Sequence, residues 1–168
     1  MPVSMYQASI PLFRQLLQAL SDVLDKGAAF AAAKGIDPLV LTGARLAPDM
    51  FPLSRQVQIA CDMARMAGSR LSGQVPENWP DEERSFEELK ERIARTLAFL
   101  DSIPAGQIDG SEDREITVPT RTDALKFRGQ RYLFGWVIPN LTFHCTTAYA
   151  ILRHNGVEIG KRDFLGAF

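Results

Sequence analysis

The chain has 168 residues, is 46% hydrophobic and 23% charged, and carries a formal net charge of -1. That size and composition suit one globular domain over residues 1–168, and the balanced charge offers no global basic field for nucleic acid or anionic lipid. Two cysteines, Cys61 and Cys145, are too few for a disulfide framework. Residues 1–11 lack the basic start and apolar run of a signal peptide, and no stretch is apolar enough to span a bilayer, so a cytoplasmic protein is expected.

Apolar residues at three- and four-residue spacing (Ile10, Phe13, Leu16, Leu17, Leu20, Val23, Leu24) predict a first helix over about 4–34, with Pro11 close to its start and Gly35 as its stop. Residues 39–46 read as a short helical turn. A second long helix is predicted over 53–72, ended by Gly73, with apolar positions that include Val57, Ile59, Ala60, Met63, Ala64, Ala67 and Leu71. Residues 74–84 are polar and hold Pro76 and Pro80, which marks a surface loop. Ser85 and Glu88 then form a capping-box pattern at the start of a third helix, whose stripe is Leu89, Ile93, Leu97 and Leu100 and whose end is Pro104.

After a loop over 106–114, residues 115–118 and 124–127 predict a small hairpin that needs cover from the helices. The last helix is predicted to begin near Gln130 and to kink at Pro139, which lacks an amide hydrogen; Asn155-Gly156 suits its C-terminal cap. The tail over 160–168 carries Phe164, Leu165 and Phe168, which need cover from this bundle or from a second subunit. Four long helices with a hairpin before the last give an all-α four-helix bundle as the expected fold class.

The candidate site lies where polar residues enter the bundle. Asn140 and His144 are four residues apart and share a helix face. Asp62 lies on the second long helix, with Arg65 and Gln58 on its face. Asp62, Asn140 and His144 could gather around a divalent metal whose bound water gains acidity; a one-nitrogen, two-oxygen set suits Mn, Fe or Ni, with Zn a further candidate. The alternative is a hydrogen-bonded cluster in which Asp62 fixes the His144 ring. His154 is ten residues from His144, on another face and about 15 Å along the axis, and suits the negative end of the helix dipole. Cys61 and Cys145 read as small buried hydrophobes. The chain holds no Gly-rich phosphate loop, Gly-x-Ser-x-Gly or paired-cysteine motif.

Three blocks carry a resemblance: Ala47-Pro-Asp-Met-Phe-Pro-Leu-Ser-Arg-Gln-Val-Gln-Ile-Ala, Gly110-Ser-Glu-Asp-Arg-Glu-Ile, and Ala148-Tyr-Ala-Ile-Leu-Arg-His-Asn-Gly-Val-Glu-Ile-Gly-Lys-Arg-Asp-Phe-Leu-Gly. They resemble an uncharacterised bacterial family, the domain of unknown function numbered nineteen-ninety-three, within the DinB/YfiT-like group. The resemblance covers nearly the whole chain. It implies an up-down-down-up four-helix bundle, often a homodimer, and in many members of the wider group a divalent metal held by three histidines. Carried over position by position, His144 takes the place of one histidine, while Asn140 and Asp62 stand where the other two would be. Two readings therefore stay open. One is a divalent-metal-dependent enzyme acting on a small molecule in an interhelical pocket. The other is a non-catalytic binding module or dimeric scaffold that has lost the metal.

Overall fold

The computed structural model describes residues 3–120 and 122–167. It is mostly helical, with one two-stranded antiparallel hairpin. The long helices are α1 (Ile10–Lys34), α3 (Leu53–Ser72), α4 (Phe86–Asp101) and α7 (Ile138–His154); the short ones are α2 (Pro38–Thr42), α5 (Ala105–Ile108), α6 (Gly129–Tyr132) and α8 (Lys161–Leu165). α1 and α3 each pack against both α4 and α7, and against each other. Their apolar stripes meet in one core that includes Phe13, Leu17, Val57, Leu71, Leu89, Ile93, Leu141 and Leu152. Among the described residues no helix is long and apolar enough to cross a membrane.

Helix boundaries follow local chemistry. α1 begins at Ile10, six residues later than the predicted start at residue 4, because Pro11 then falls in the first turn, where a missing amide costs nothing. Gly73, with φ of 81°, ends α3 in the left-handed conformation that glycine adopts without strain. The capping box of α4 forms as its pattern requires: Ser85 Oγ accepts from the Glu88 amide at 3.2 Å, and the Ser85 amide donates to Glu88 Oε2 at 3.0 Å. The amides of Arg84, at 2.8 Å, and of Ser85 both donate to that carboxylate and hold it below its ordinary value.

The hairpin pairs β1 (Glu115–Pro119) with β2 (Ala124–Arg128), with Ile116 opposite Phe127. Ile116 and Val118 turn inward and are buried. The tail folds back on its own subunit: α8 packs on α1, the Phe164 ring stacks edge-on against Tyr149, and Gln15 donates to the Leu165 carbonyl at 2.9 Å. Phe168 lies outside the described residues.

Just before Pro139, where a kink is expected, the helix carries an irregular turn. One π-helical turn, Leu133–Val137, joins α6 to α7, and Pro139 falls in the first turn of α7. Wide turns of this kind absorb a residue that cannot continue the regular ladder. Gly129, at the start of α6, passes so close to the Ser111 carbonyl that a Cβ would collide with it. We therefore expect Gly129→Ala to destabilise the protein by about 2–3 kcal/mol, read as a lower urea midpoint at unchanged slope, because the obstacle is backbone and cannot swing aside. Gly106→Ala, whose Cβ would meet nothing within 4 Å, serves as the neutral control.

Candidate functional site

Arg55, Gln58, Asp62 and Arg65 recur on α3 at spacings of three, four and three, so they line one face. On α4, Arg92 sits within the buried stripe of Leu89, Ile93, Thr96 and Leu100, and its side chain is 1% exposed. A guanidinium at a core-facing position must find charge partners. It finds Asp62: Arg92 Nη2 donates to Asp62 Oδ1 at 3.0 Å, and Arg65 Nη2 donates to the same oxygen at 2.9 Å. One carboxylate is thus shared by two buried guanidiniums.

The same arginines hold the connection between α3 and α4, residues 74–84, against the bundle as a strap. Arg92 Nη1 donates to the Pro80 carbonyl at 2.7 Å and to both Glu83 oxygens at 2.9 and 3.0 Å, and Arg92 Nη2 reaches Asp81 at 3.1 Å. Arg65 donates to the Glu77 carbonyl, Arg55 pairs with Asp81, and Gln58 donates to Glu83 Oε2 at 3.0 Å. The indole of Trp79 takes the guanidinium carbon of Arg95 at 3.8 Å and that of Arg65 at 4.4 Å from its ring centre. Sequence reasoning placed Gln58 and Arg65 beside Asp62 but missed Arg92, Arg95 and Trp79. The available signal was an arginine on a core stripe facing a tryptophan-bearing acidic loop.

His144 belongs to a second polar centre, between α7 and the start of α3. Its Nδ1 lies 2.7 Å from Gln56 Oε1, while Gln56 Nε2 donates to the Phe51 carbonyl at 3.1 Å. Since the amide oxygen of Gln56 can only accept, the ring nitrogen facing it carries the hydrogen, and Nε2 keeps its lone pair. Burial, reinforced by the Arg55 charge, pushes the imidazole down to about 4. Gln56, not Asp62, fixes the ring. Asn140 has separate work: its side-chain amide donates to the Trp136 carbonyl at 2.6 Å, beside the π turn.

The three residues expected to share a metal therefore keep different partners. Gln56 and Asp62 are six residues apart on α3, roughly 120° round the axis and about 9 Å along it, so the partner of His144 and the partner of Arg92 lie on different faces. A dication at Asp62 would also lie beside two guanidiniums. Asp62, Asn140 and His144 thus each hydrogen-bond to a different partner, and among the described residues no three His, Cys, Asp or Glu side chains gather as a metal group. Cys61 and Cys145 are buried and free, and burial pushes the Cys61 thiol up to about 12 and Cys145 up as well, away from the nucleophilic thiolate. His154 is exposed in the last turn of α7, at the negative end of the helix.

The His144 geometry has a measurable consequence. Imidazole NMR is expected to show the neutral Nδ1–H form across neutral pH, with protonation only near 4. Because the folded state holds the ring below its ordinary 6.5, its contribution to stability is complete above that value and is lost as pH falls from there towards 4. A His144→Gln variant should show a flatter dependence of unfolding midpoint on pH in that window; an unchanged dependence would contradict the assignment.

Comparison with known proteins places the chain. A family model described as Domain of unknown function (DUF1993) matches residues 5–165. The crystal structure of a DinB family member protein from Shewanella denitrificans, at 1.83 Å resolution, is 40% identical, covers 97% of this chain and 92% of that chain, and aligns with a TM-score of 0.87. No curated protein matches. With nearly its whole length matched by one family and its fold shared with a DinB member, this chain belongs to the DinB-like family of unknown function DUF1993.

Proposed function

We propose that this protein is a non-catalytic, dimeric binding bundle, in which protein charge takes the place of a metal at the polar centre. The observation that carries the reading is the Asp62 carboxylate shared by Arg65 and Arg92. The two guanidiniums supply the two positive charges that a divalent ion would bring, so Asp62 is already neutralised from within the chain. In this reading the four long helices run up-down-down-up, which is supported by α1 and α3 each packing on both α4 and α7.

The dimer reading is supported by the outer side of α7. Ile138, Pro139, Thr142, Phe143, Thr146 and Ala150, with Leu46 from the α2–α3 connection, line a shallow groove of about 500 Å³ without a charged side chain. Phe143 is 54% exposed there. Single exposed hydrophobes are ordinary, but a continuous apolar groove marks a contact surface. Small Thr142 and Thr146 beside bulky Phe143 offer holes beside a knob, which suits a self-complementary contact about a two-fold axis.

A second reading keeps a metal at His144. It is favoured by the Gln56 hydrogen bond, which leaves the Nε2 lone pair available as in metal-bound imidazoles. One set of measurements separates the readings. Sedimentation should give a dimer for the unaltered chain, and Phe143→Asp should weaken it by roughly thirtyfold or more, the scale of a lost interface anchor. Metal analysis of tag-free protein prepared without chelator should find no stoichiometric Mn, Fe, Ni or Zn. A monomer at high concentration sinks the scaffold reading, and one equivalent of metal that disappears in His144→Ala establishes the second.

A further inference from the structure

The outer face of the hairpin gathers charge that the helical core does not use. In the antiparallel register Glu115 lies opposite Arg128, and Thr117 lies opposite Lys126. Ile116 and Val118 are the buried alternate residues of β1, so these two pairs share the other, exposed face. α6 follows β2 directly, and its Arg131 comes to the same place three residues after Arg128. A cavity of about 450 Å³ opens there, lined by Glu115, Thr117, Lys126, Arg128 and Arg131, with Ile116 and Phe127 completing its wall.

Three cations and one carboxylate line this cavity, which leaves a surplus of two positive charges. Glu115 meets Arg128 only at 3.5 Å, and both side chains are exposed, so the pair is weak and screened. Lys126 and Arg131 have no ion-pair partner among the described residues. The neighbouring Glu112 and Asp113 meet this region through their main-chain carbonyls, which accept from the Gln130 amide at 2.9 Å and from Arg128 Nη1 at 2.8 Å, and neither residue lines the cavity. Two of the cations are also held in place. The Asp113 carbonyl fixes Arg128. Arg131 folds back along its own helix over Gly135, where a Cβ would come within 3.2 Å of the guanidinium carbon. A lysine on an exposed strand also discourages edge pairing, but that role asks nothing of a guanidinium on the following helix.

We propose that the cavity between the outer face of the hairpin and Arg131 binds a small molecule that carries a phosphate monoester. Near neutral pH such a group is largely doubly ionised, which matches the surplus of two. Arg128 and Arg131 offer forked donors, Lys126 a compact charge and Thr117 a hydroxyl, enough for the three terminal oxygens of a monoester. Glu115 is the one group lining the cavity that opposes an anion, so it limits the affinity. The site shares no residue with the Asp62 cluster or with the apolar groove of α7, so it stands or falls independently of the dimeric reading.

Calorimetric titration at low ionic strength with phenyl phosphate, and with phenyl sulfate as a singly charged probe of the same shape, tests this. Phenyl phosphate should bind at one site with a Kd below about 1 mM, and phenyl sulfate at least about fivefold more weakly. Arg131→Gln should weaken phenyl phosphate at least about tenfold, the scale of a lost charge-assisted hydrogen bond, and Glu115→Gln should tighten it about threefold. Both side chains are exposed, so the variants are expected to unfold at the same temperature as the unaltered chain. Amide NMR of the unaltered chain should place the probe-induced shifts on residues 115–117 and 126–131. No saturation up to about 10 mM, an affinity unchanged in Arg131→Gln, or equal binding of the two probes overturns the proposal. Tighter binding of a single-stranded oligonucleotide or of phosphatidate vesicles through the same residues overturns it equally, because the site then reads a polymer or a surface rather than a small molecule.

Discussion

Asp62 receives one hydrogen bond from Arg65 on its own helix and one from Arg92 on α4, and much of the surrounding structure follows from the cost of burying those charges. Side chains that are 1–2% exposed cannot shed a guanidinium charge by losing a proton, so the charge must be matched in place. One carboxylate cannot match two guanidiniums. The deficit pulls the strap inward, and with it Asp81, Glu83 and the carbonyls of Glu77 and Pro80. Removing either arginine would strand carboxylates and carbonyls that now have donors, a loss on the order of 3–5 kcal/mol for a buried pair.

A second constraint acts at the other end of the polar system. Pro139 cannot donate to the helical ladder, and the π turn before it takes up the disruption. An extra residue in one turn rotates everything downstream by about 100° relative to a regular helix. The aromatic cluster of Phe127, Tyr132 and Trp136 therefore faces the hairpin, while Phe143 and His144 are set by a separate stretch of helix. Asn140 ties the two stretches together through the Trp136 carbonyl. A residue that looks like a ligand in sequence is accounted for here as a clamp across an irregular turn.

What could be read from the sequence was local. The bounds of α3, the Ser85–Glu88 box, the hairpin and the Asp62–Arg65 pair all depend on residues a few positions apart, where spacing alone specifies geometry. α1 starts later than the predicted Ser4 because its apolar stripe begins only at Ile10 and Pro11 decides where the ladder can begin. Gln56 was invisible as a partner of His144, since 88 residues separate them and only the packing of α3 on α7 brings them together. The strap was read as a solvated loop because its acidic, proline-bearing composition is that of one. Its attachment depends on guanidiniums from two helices, which no window of the sequence contains.

α3 is the element on which both polar centres converge. Its first turn sends Gln56 towards α7, and its middle sends Asp62 and Arg65 towards α4. The two centres obey different physical rules. The His144–Gln56 contact is a neutral hydrogen bond on a half-buried ring, so its strength varies little with ionic strength and depends chiefly on whether the ring stays unprotonated. The strap is held by ion pairs whose outer partners, such as Asp81 at 35% side-chain exposure, remain open to screening. Salt thus acts first on these outer ion pairs, and the apolar packing of the long helices does not depend on them.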